Sequence, residues 1–215
     1  MPLLTATALE YVGRTDREGG VTAFAFAPVA PVGHVAGSHA FLTLDGGGTK
    51  PFSLASAPED PQVLIGTRLD SGSRFKRALT ALSPGDRVRL RRPPQRSALS
   101  GTGDDVVLLA QGVGVTPHRA LLRHLAATGD RRRGTLVHVG RGHPFRTDTE
   151  ELAAAAAYPG DRDSFRAELD RVTTDLPGAT YHVSGSPAFV RDTTAILTGA
   201  GIPRRQIRRE AFRGY

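Results

Sequence analysis

Cysteine and tryptophan are both absent from the 215 residues of this chain. Without cysteine there is no disulfide, thiolate zinc site, cysteine-ligated iron–sulfur cluster or cysteine nucleophile. Long apolar runs are missing too, and residues 1–4 lead into a strand-like pattern without the basic segment and apolar stretch of a signal peptide. These absences predict a soluble, cytoplasmic protein.

Negative charge is in short supply. The chain has 28 lysine and arginine residues against 21 aspartate and glutamate residues, for a formal net charge of +7. That excess suits nucleic acid, a membrane surface, nucleotide phosphates or an acidic protein partner. No basic stretch is interleaved with aromatics, so nucleic acid is a minor alternative. The densest basic run, Arg131-Arg132-Arg133, is interpreted as a solvated turn.

The first half of the chain has the pattern of short strands. Strands are predicted at 5–12, 21–27, 40–44, 51–55, 63–69 and 87–90, with one helix at 75–82. Strands of this length and spacing favour a closed or nearly closed antiparallel barrel.

After residue 104 strands and helices alternate, which predicts a parallel sheet wrapped by helices. Strands are expected at 106–110, 135–139, 180–184 and 206–209, and helices near Pro117, Asp148, Ser164 and Pro187. The alanine run 153–157 is assigned to a helix. With a junction at 101–104, the chain divides into residues 1–102 and 103–215.

A glycine turn joins the first parallel strand to the next helix. In Gly112-Val113-Gly114-Val115-Thr116-Pro117 two glycines allow a tight turn, and the helix that follows directs its free amides at an anion. Thr116 and Pro117 suit the N-cap and first helical position. A purely structural turn is the alternative interpretation.

Four motifs, taken in order, resemble those of the ferredoxin-NADP reductase family of flavoproteins. They are Lys50-Pro51-Phe52-Ser53, the glycine turn at 112–117, Ser184-Gly185-Ser186-Pro187 and the ending that contains Glu210 and Phe212. The resemblance covers nearly the whole chain. It implies an N-terminal Greek-key β-barrel that binds flavin and a C-terminal α/β parallel-sheet domain that binds NAD(P)H.

By this resemblance, Lys50-Pro51-Phe52-Ser53 corresponds to the Arg-x-Tyr-Ser flavin motif. A cation can pair with the flavin pyrophosphate, an aromatic ring can stack on the isoalloxazine, and a serine can bond its N5/O4 edge. Lys50 gives up the bidentate fork of arginine, and Phe52 gives up the hydroxyl of tyrosine. An ordinary edge strand is the alternative.

A second flavin-phosphate site is expected at the start of the helix in the barrel. Ser73 and the amides that follow it can cap the helix and meet the pyrophosphate together, whereas capping without a ligand is the alternative. The residues assigned to this site are Thr67, Arg68, Leu69, Ser73, Arg74, Phe75 and Lys76. The segment 92–98 departs from the family pattern, so FAD is expected and FMN stays possible.

In the second half the resemblance assigns NAD(P)H binding to three turns. Gly112 and Gly114 lie beneath the pyrophosphate, and Thr116 and Pro117 are on the nicotinamide side. Gly140 and Arg141 follow a strand, where arginine favours the 2′-phosphate of NADPH over NADH. The third turn supplies Gly185, Ser186 and Pro187.

Catalytic positions are expected at Ser53, Ser184, Glu210 and Phe212. Ser184 stands where the family often has cysteine, and hydride transfer needs oriented rings rather than a nucleophile. Glu210 orients nicotinamide or relays a proton, and Phe212 shields the flavin. Tyr215 is assigned to cofactor binding.

No metal site is predicted, because the seven histidines lack ligand spacing. The leading function is a flavin-dependent oxidoreductase that passes hydride from NAD(P)H to FAD. Its electrons go on to a separate acidic ferredoxin or flavodoxin, or to a small-molecule acceptor. The alternative is a degenerate flavin- or nucleotide-binding module or subunit without turnover.

Overall fold

The computed structural model describes residues 5–94, 98–99, 103 and 105–212. The first half forms an antiparallel sheet with one helix, α1, at Arg74–Thr80. Its strands are Thr5–Arg17 (β1), Val21–Pro28 (β2), His39–Leu44 (β3), Gly48–Ser53 (β4), Val63–Arg68 (β5) and Arg87–Arg92 (β6).

This sheet is barrel-like but not closed. The strand order is β4-β3-β6-β1-β2-β5, and an isolated bridge between Leu54, just after β4, and Ile65 of β5 links the two ends of the sheet. Alternating apolar residues fill its interior, as in β6, where Val88 and Leu90 are buried between exposed arginines. The predicted antiparallel, nearly closed barrel is confirmed.

The second half is a five-stranded, fully parallel sheet in the order β11-β10-β7-β8-β9. Among the described residues no helix is long and apolar enough to cross a membrane. The elements are Asp105–Gln111 (β7), Val115–Thr128 (α2), Arg133–Val139 (β8), Arg146–Leu152 (α3), Ala155–Ala157 (β9), Arg162–Asp175 (α4), Thr180–Gly185 (β10), Pro187–Gly199 (α5) and Ile207–Ala211 (β11).

The helix assigned to the alanine run is wrong. Helix α3 ends at Leu152, and Ala155–Ala157 is a strand that pairs with β8. Alanine favours helix when nothing else decides, but the outer edge of β8 offers unpaired backbone groups that a short strand satisfies. Tertiary pairing therefore overrides local propensity.

The N-cap assigned to Thr116 is also wrong. A 3₁₀ turn over Gly112–Gly114 runs directly into α2, which begins at Val115. Thr116 lies inside the first helical turn, and its hydroxyl donates to the carbonyl of Val113 at 3.0 Å. Pro117 is in the same turn, where no intrahelical amide bond is lost.

The basic run is more ordered than a solvated turn. Arg132 pairs with Asp130 at 2.6 Å and donates to the carbonyl of Leu99 at 2.7 Å, while Arg133 begins β8 and pairs with Asp105 at 2.8 Å. Two of the three cations, Arg132 and Arg133, are therefore paired with acidic side chains or a backbone carbonyl of this chain.

One apolar cluster joins the two halves. It contains Ala23 and Ala55 from the first half and Leu121 and Phe145 from the second. Arg119 strengthens this junction, because its guanidinium donates to the carbonyl of Ala55 at 2.7 Å.

We predict that Gly114→Ala destabilises the protein. A Cβ atom at Gly114 would lie 2.3 Å from the carbonyl oxygen of Ser184 and 2.9 Å from the amide nitrogen of Gly185, both backbone atoms. Overpacking of this kind costs about 1–3 kcal/mol in the free energy of unfolding. Chemical denaturation should show that loss, whereas Gly160→Ala, with no atom within 4 Å, should leave the midpoint unchanged. Equal midpoints would contradict the packing described.

Candidate active site

A cleft of about 1150 Å³ opens between the two sheets. Strand β4, the end of β5 and the start of α1 form one wall, and the start of α2 with the ends of β10 and β11 forms the other. The predicted site residues that line it are Lys50, Pro51, Phe52, Ser53, Thr67, Arg68, Ser73, Phe75, Lys76, Thr116, Pro117, Ser184, Glu210 and Phe212.

A hydrogen bond crosses between the walls. The hydroxyl of Ser53 donates to Oε1 of Glu210 at 2.5 Å, although the two residues are 157 positions apart. Ser184 is the register partner of Glu210 in the β10–β11 pair. The amide of Phe212 donates to the carbonyl of Gly185 at 2.8 Å, which continues this ladder past β11. The four positions expected to be catalytic therefore converge.

Burial changes the acid strength of Glu210. Desolvation raises the pKa of its carboxyl, and the hydrogen bond from Ser53 opposes that rise in part. A carboxyl in this setting holds its proton to higher pH than an exposed glutamate does.

The β4 motif presents an aromatic and a basic residue to the cleft. Phe52 packs against Phe75 of α1, with ring centroids 5.5 Å apart. Lys50 lies two positions earlier and shares the same face of the strand. This wall thus supplies aromatic surface and positive charge side by side.

At the start of α1 the protein itself engages several predicted phosphate ligands. Ser73 is the N-cap and accepts the amide of Lys76 at 3.4 Å. Arg68 pairs with Asp70 at 2.8 Å and donates to the carbonyl of Gly19 at 3.3 Å, and Arg74 donates to the carbonyl of Gly46. Lys76 remains a cation lining the cleft.

Other predicted residues lie outside the lining of the cleft. Most follow β7, β8 and β10, at the carboxyl edge of the parallel sheet, which is where open α/β sheets bind ligands. Tyr215 lies outside the described residues. The predicted residues that do not line the cleft are Leu69, Arg74, Gly112, Gly114, Gly140, Arg141, Gly185, Ser186 and Pro187.

The glycine turn is held from the neighbouring strand. Gly112 has a positive φ of 52°, and His138 of β8 shares a hydrogen bond of 2.9 Å between its Nε2 and the carbonyl of Gly112. Burial, mainly, lowers the pKa of His138 to about 4, so Nε2 of the neutral ring donates this bond. Gly114 serves close packing against β10.

Sequence reasoning missed half of the lining. Some of these residues had a signal. His182 and Arg208 stand two positions before Ser184 and Glu210, a spacing that puts them on the same strand faces, and Val113, Val183 and Ala211 adjoin predicted site residues. Others, such as Gly37 and Leu121, depend on contacts distant in sequence. The missed residues are Gly37, His39, Gly66, Asp70, Ser71, Ala98, Val113, His118, Leu121, His182, Val183, Arg208, Arg209 and Ala211.

Three enclosed polar atoms of the cleft wall have no hydrogen-bond partner. They are Nδ1 of His118, Nε2 of His182 and Oγ of Ser184. Burial lowers the pKa of both histidines, to about 4 for His182, so both rings are neutral near pH 7. Within the described ranges no group of three or more acidic or histidine side chains is placed to hold a metal ion.

No family model matches the chain, but individual proteins do. A flavohemoprotein of Deinococcus radiodurans is 28% identical over 188 residues, covering 76% of this chain and 46% of its own length. Tetrachlorobenzoquinone reductase of Sphingobium chlorophenolicum is 28% identical over 190 residues, covering 82% of this chain and 57% of its own. The chain therefore spans about half the length of these relatives.

A solved structure matches over almost its full length. The flavohem-like FAD/NAD binding domain of nitric oxide dioxygenase from Vibrio cholerae superposes with a TM-score of 0.79 at 19% identity, covering 96% of this chain and 98% of that one. An antiparallel barrel-like sheet, a helix-wrapped parallel sheet and a shared cleft define the ferredoxin reductase-like fold. This chain has that fold, and its sequence is similar to those of a flavohemoprotein and a benzoquinone reductase.

We predict that Glu210→Gln changes stability in a pH-dependent way. Because the folded pKa of Glu210 is raised, its contribution is present below the ordinary carboxyl pKa and is lost as pH rises through the folded value. As the pH rises from about 4 to about 8, the wild type should therefore lose free energy of unfolding that the glutamine variant keeps, so the variant becomes more stable relative to the wild type.

Denaturant titrations at both pH values measure this difference. Glu151→Gln, at an exposed carboxylate of α3, is the matched control and should show little change. If the difference in the free energy of unfolding between the wild type and Glu210→Gln is the same at both pH values, that result would contradict a raised pKa for the Glu210 carboxyl.

Proposed function

We propose that this chain is a flavin-dependent reductase that passes hydride from NAD(P)H to FAD and electrons on to a separate acceptor. One observation carries the proposal. Ser53, from the predicted flavin motif, and Glu210, from the predicted nicotinamide side, are hydrogen-bonded at 2.5 Å in one cleft. The Vibrio cholerae domain on which the chain superposes is described as FAD/NAD binding, which supports the same cofactors.

The residues of the cleft fit a flavin. Its volume of about 1150 Å³ is slightly above the range of typical ligand pockets, roughly 300–1,000 Å³, so a large ligand has room in it. Phe52 offers an aromatic face, and Lys50 and Lys76 offer positive charge toward a diphosphate. The enclosed hydroxyl of Ser184 has no partner within the described part of the chain.

A bound flavin supplies an acceptor for the hydride of a reduced nicotinamide and a donor to the next acceptor. The chain supplies positioning. Ser53 and Ser184 are buried, so their hydroxyls are shielded from bulk water. Phe52 and Phe212 line the cleft from different sheets. Glu210, with its raised pKa, can hold a proton on its carboxyl near the reacting groups.

We further propose that residues 1–102 form the flavin domain and residues 103–215 the NAD(P) domain. Each range contains one of the two sheets. With this division the cleft lies at the interface between two domains, which is a common location for ligand sites.

Flavin is expected to be held loosely. Lysine at position 50 and phenylalanine at position 52 each give up a hydrogen bond that arginine or tyrosine makes, worth about 1–3 kcal/mol for a charge-assisted bond. Arg68 and Arg74 are engaged by Asp70 and by a backbone carbonyl. These engagements favour a second candidate function, a nucleotide-binding subunit without turnover.

The electron acceptor is proposed to be a separate molecule. The chain contains no cysteine to hold an iron–sulfur cluster, and its net charge of +7 suits an acidic ferredoxin or flavodoxin. A small-molecule acceptor such as a quinone is the alternative. The Sphingobium relative is named as a benzoquinone reductase.

Arg141 is proposed to select NADPH. It is exposed in the turn after β8, where an arginine can pair with a 2′-phosphate. Arg141→Ala should raise KM for NADPH about tenfold or more, since a charge-assisted hydrogen bond is worth about 1.5–3 kcal/mol, and leave KM for NADH nearly unchanged. Arg131→Ala, exposed between α2 and β8, is the control. An equal effect on both nucleotides would contradict this assignment.

Absorbance spectroscopy tests the function itself. Titration with the protein should shift the absorbance bands of added FAD, and anaerobic NADPH should bleach them within the mixing time of a manual experiment. Ferricyanide should restore the oxidised spectrum. Bound flavin that NADPH does not bleach would support the subunit without turnover, and FAD whose spectrum saturating protein does not change would contradict the reductase.

A further inference from the structure

The two halves come into close contact at Gly66, in β5. A Cβ atom built there would lie 2.9 Å from Cγ2 of Thr116 and 3.2 and 3.3 Å from the Cε2 and Cζ atoms of Phe145. Both neighbours belong to the second half. A methyl group added at position 66 requires these two side chains, or the halves that carry them, to move.

Phe145 is fixed firmly against this position. It is buried and adopts a left-handed backbone with φ 62°, unusual for a bulky residue. The guanidinium groups of Arg17 and Arg119 each lie 5.4 Å from its ring centroid. Arg119 is held in turn by Asp148 at 2.7 Å. The ring therefore cannot retreat easily.

The loop that carries Phe145 touches the first sheet at a second point. The amide of His143 donates to Oε2 of Glu18 at 3.1 Å. A Cβ atom at Gly142 would lie 2.5 Å from the amide nitrogen of Gly19. The loop therefore meets the first half at two places, where the Phe145 ring lies against Gly66 and where the backbone of Gly142 lies against that of Gly19. Both contacts limit how closely the loop can approach the first half.

We propose that the contact of Thr116 and Phe145 with Gly66 is the stop that sets how closely the two halves approach, and hence the separation across the cleft. The inference rests on the proposed function. Gly66 precedes Thr67, assigned to flavin, and Thr116 belongs to the turn assigned to nicotinamide. Hydride transfer needs reacting atoms about 3–3.5 Å apart, and a misplacement of about 1 Å can cost a hundredfold in rate. Gly66 and Phe145 are positioning residues.

Gly66→Ala tests the stop. The added methyl should move the halves apart by a fraction of an ångström and lower kcat about tenfold with NADPH and ferricyanide. KM for NADPH and the content of FAD should change little. The kinetic isotope effect with C4-deuterated NADPH should rise, because hydride transfer becomes slower relative to the other steps.

Gly134→Ala is the matched control. Its Cβ would lie 2.5 Å from Cδ2 of Leu122, a tighter clash that involves only the second half. It should lower stability without changing kcat or the isotope effect. Adding Thr116→Ser to Gly66→Ala removes the nearest methyl and keeps the hydroxyl that bonds Val113, so the double variant should regain most of the lost kcat.

A distance measurement gives a readout independent of turnover. In crystal structures of the wild type, Gly66→Ala and Gly134→Ala, the distance between the Cα atoms of Ser53 and Glu210 measures the separation across the cleft. That distance should be longer with Gly66→Ala than in the wild type and unchanged with Gly134→Ala.

If Gly66→Ala does not fold, Phe145→Leu takes its place. A shorter side chain loosens the stop, so kcat and the Ser53–Glu210 Cα distance in the crystal should both change, whereas Phe165→Leu, buried in α4, should alter neither. Distances in Gly66→Ala and Phe145→Leu equal to that of the wild type would overturn the inference, whatever the activity. Absence of NADPH oxidation by the wild type would count against the proposed function instead.

Discussion

Glycine at position 66 lets the second half of the chain come into close contact with β5, and the geometry of the cleft depends on that contact. Close approach there brings the start of α2 against β5, and in the same cleft the hydroxyl of Ser53 donates to the carboxyl of Glu210. Packed interiors do not compress, so such contacts fix the width of a cleft more firmly than flexible surface side chains do. The width of the cleft is therefore set by how the two halves of the chain pack against each other.

The polar groups in this junction are costly unless they serve a purpose. His118, His182 and Ser184 each have an enclosed atom without a partner, and an unsatisfied buried polar group costs about 1–3 kcal/mol. Burial keeps the two imidazoles neutral and the Glu210 carboxyl weakly acidic. A wall of neutral donors and acceptors suits a large polar ligand whose own hydrogen bonds replace those of water.

Strand periodicity and turn residues were enough to predict the two sheets and their order along the chain. Motif order was enough to predict that most of β4 and α1 belong to the site. Local signals failed where a distant partner decides. The 153–157 run becomes a strand because β8 has a free edge, and Thr116 loses its capping role because a 3₁₀ turn extends the helix backward. The contact of Phe145 with Gly66 had no sequence signal, since it depends on how the halves pack.

A crystal structure of the protein grown with FAD tests the central claim most directly. The account predicts an isoalloxazine ring in the cleft in contact with Phe52, with its polar edge toward Ser53 and Glu210 and its diphosphate toward Lys50 or Lys76. Flavin bound on another surface, or a cleft closed by side chains in crystals saturated with FAD, would contradict it.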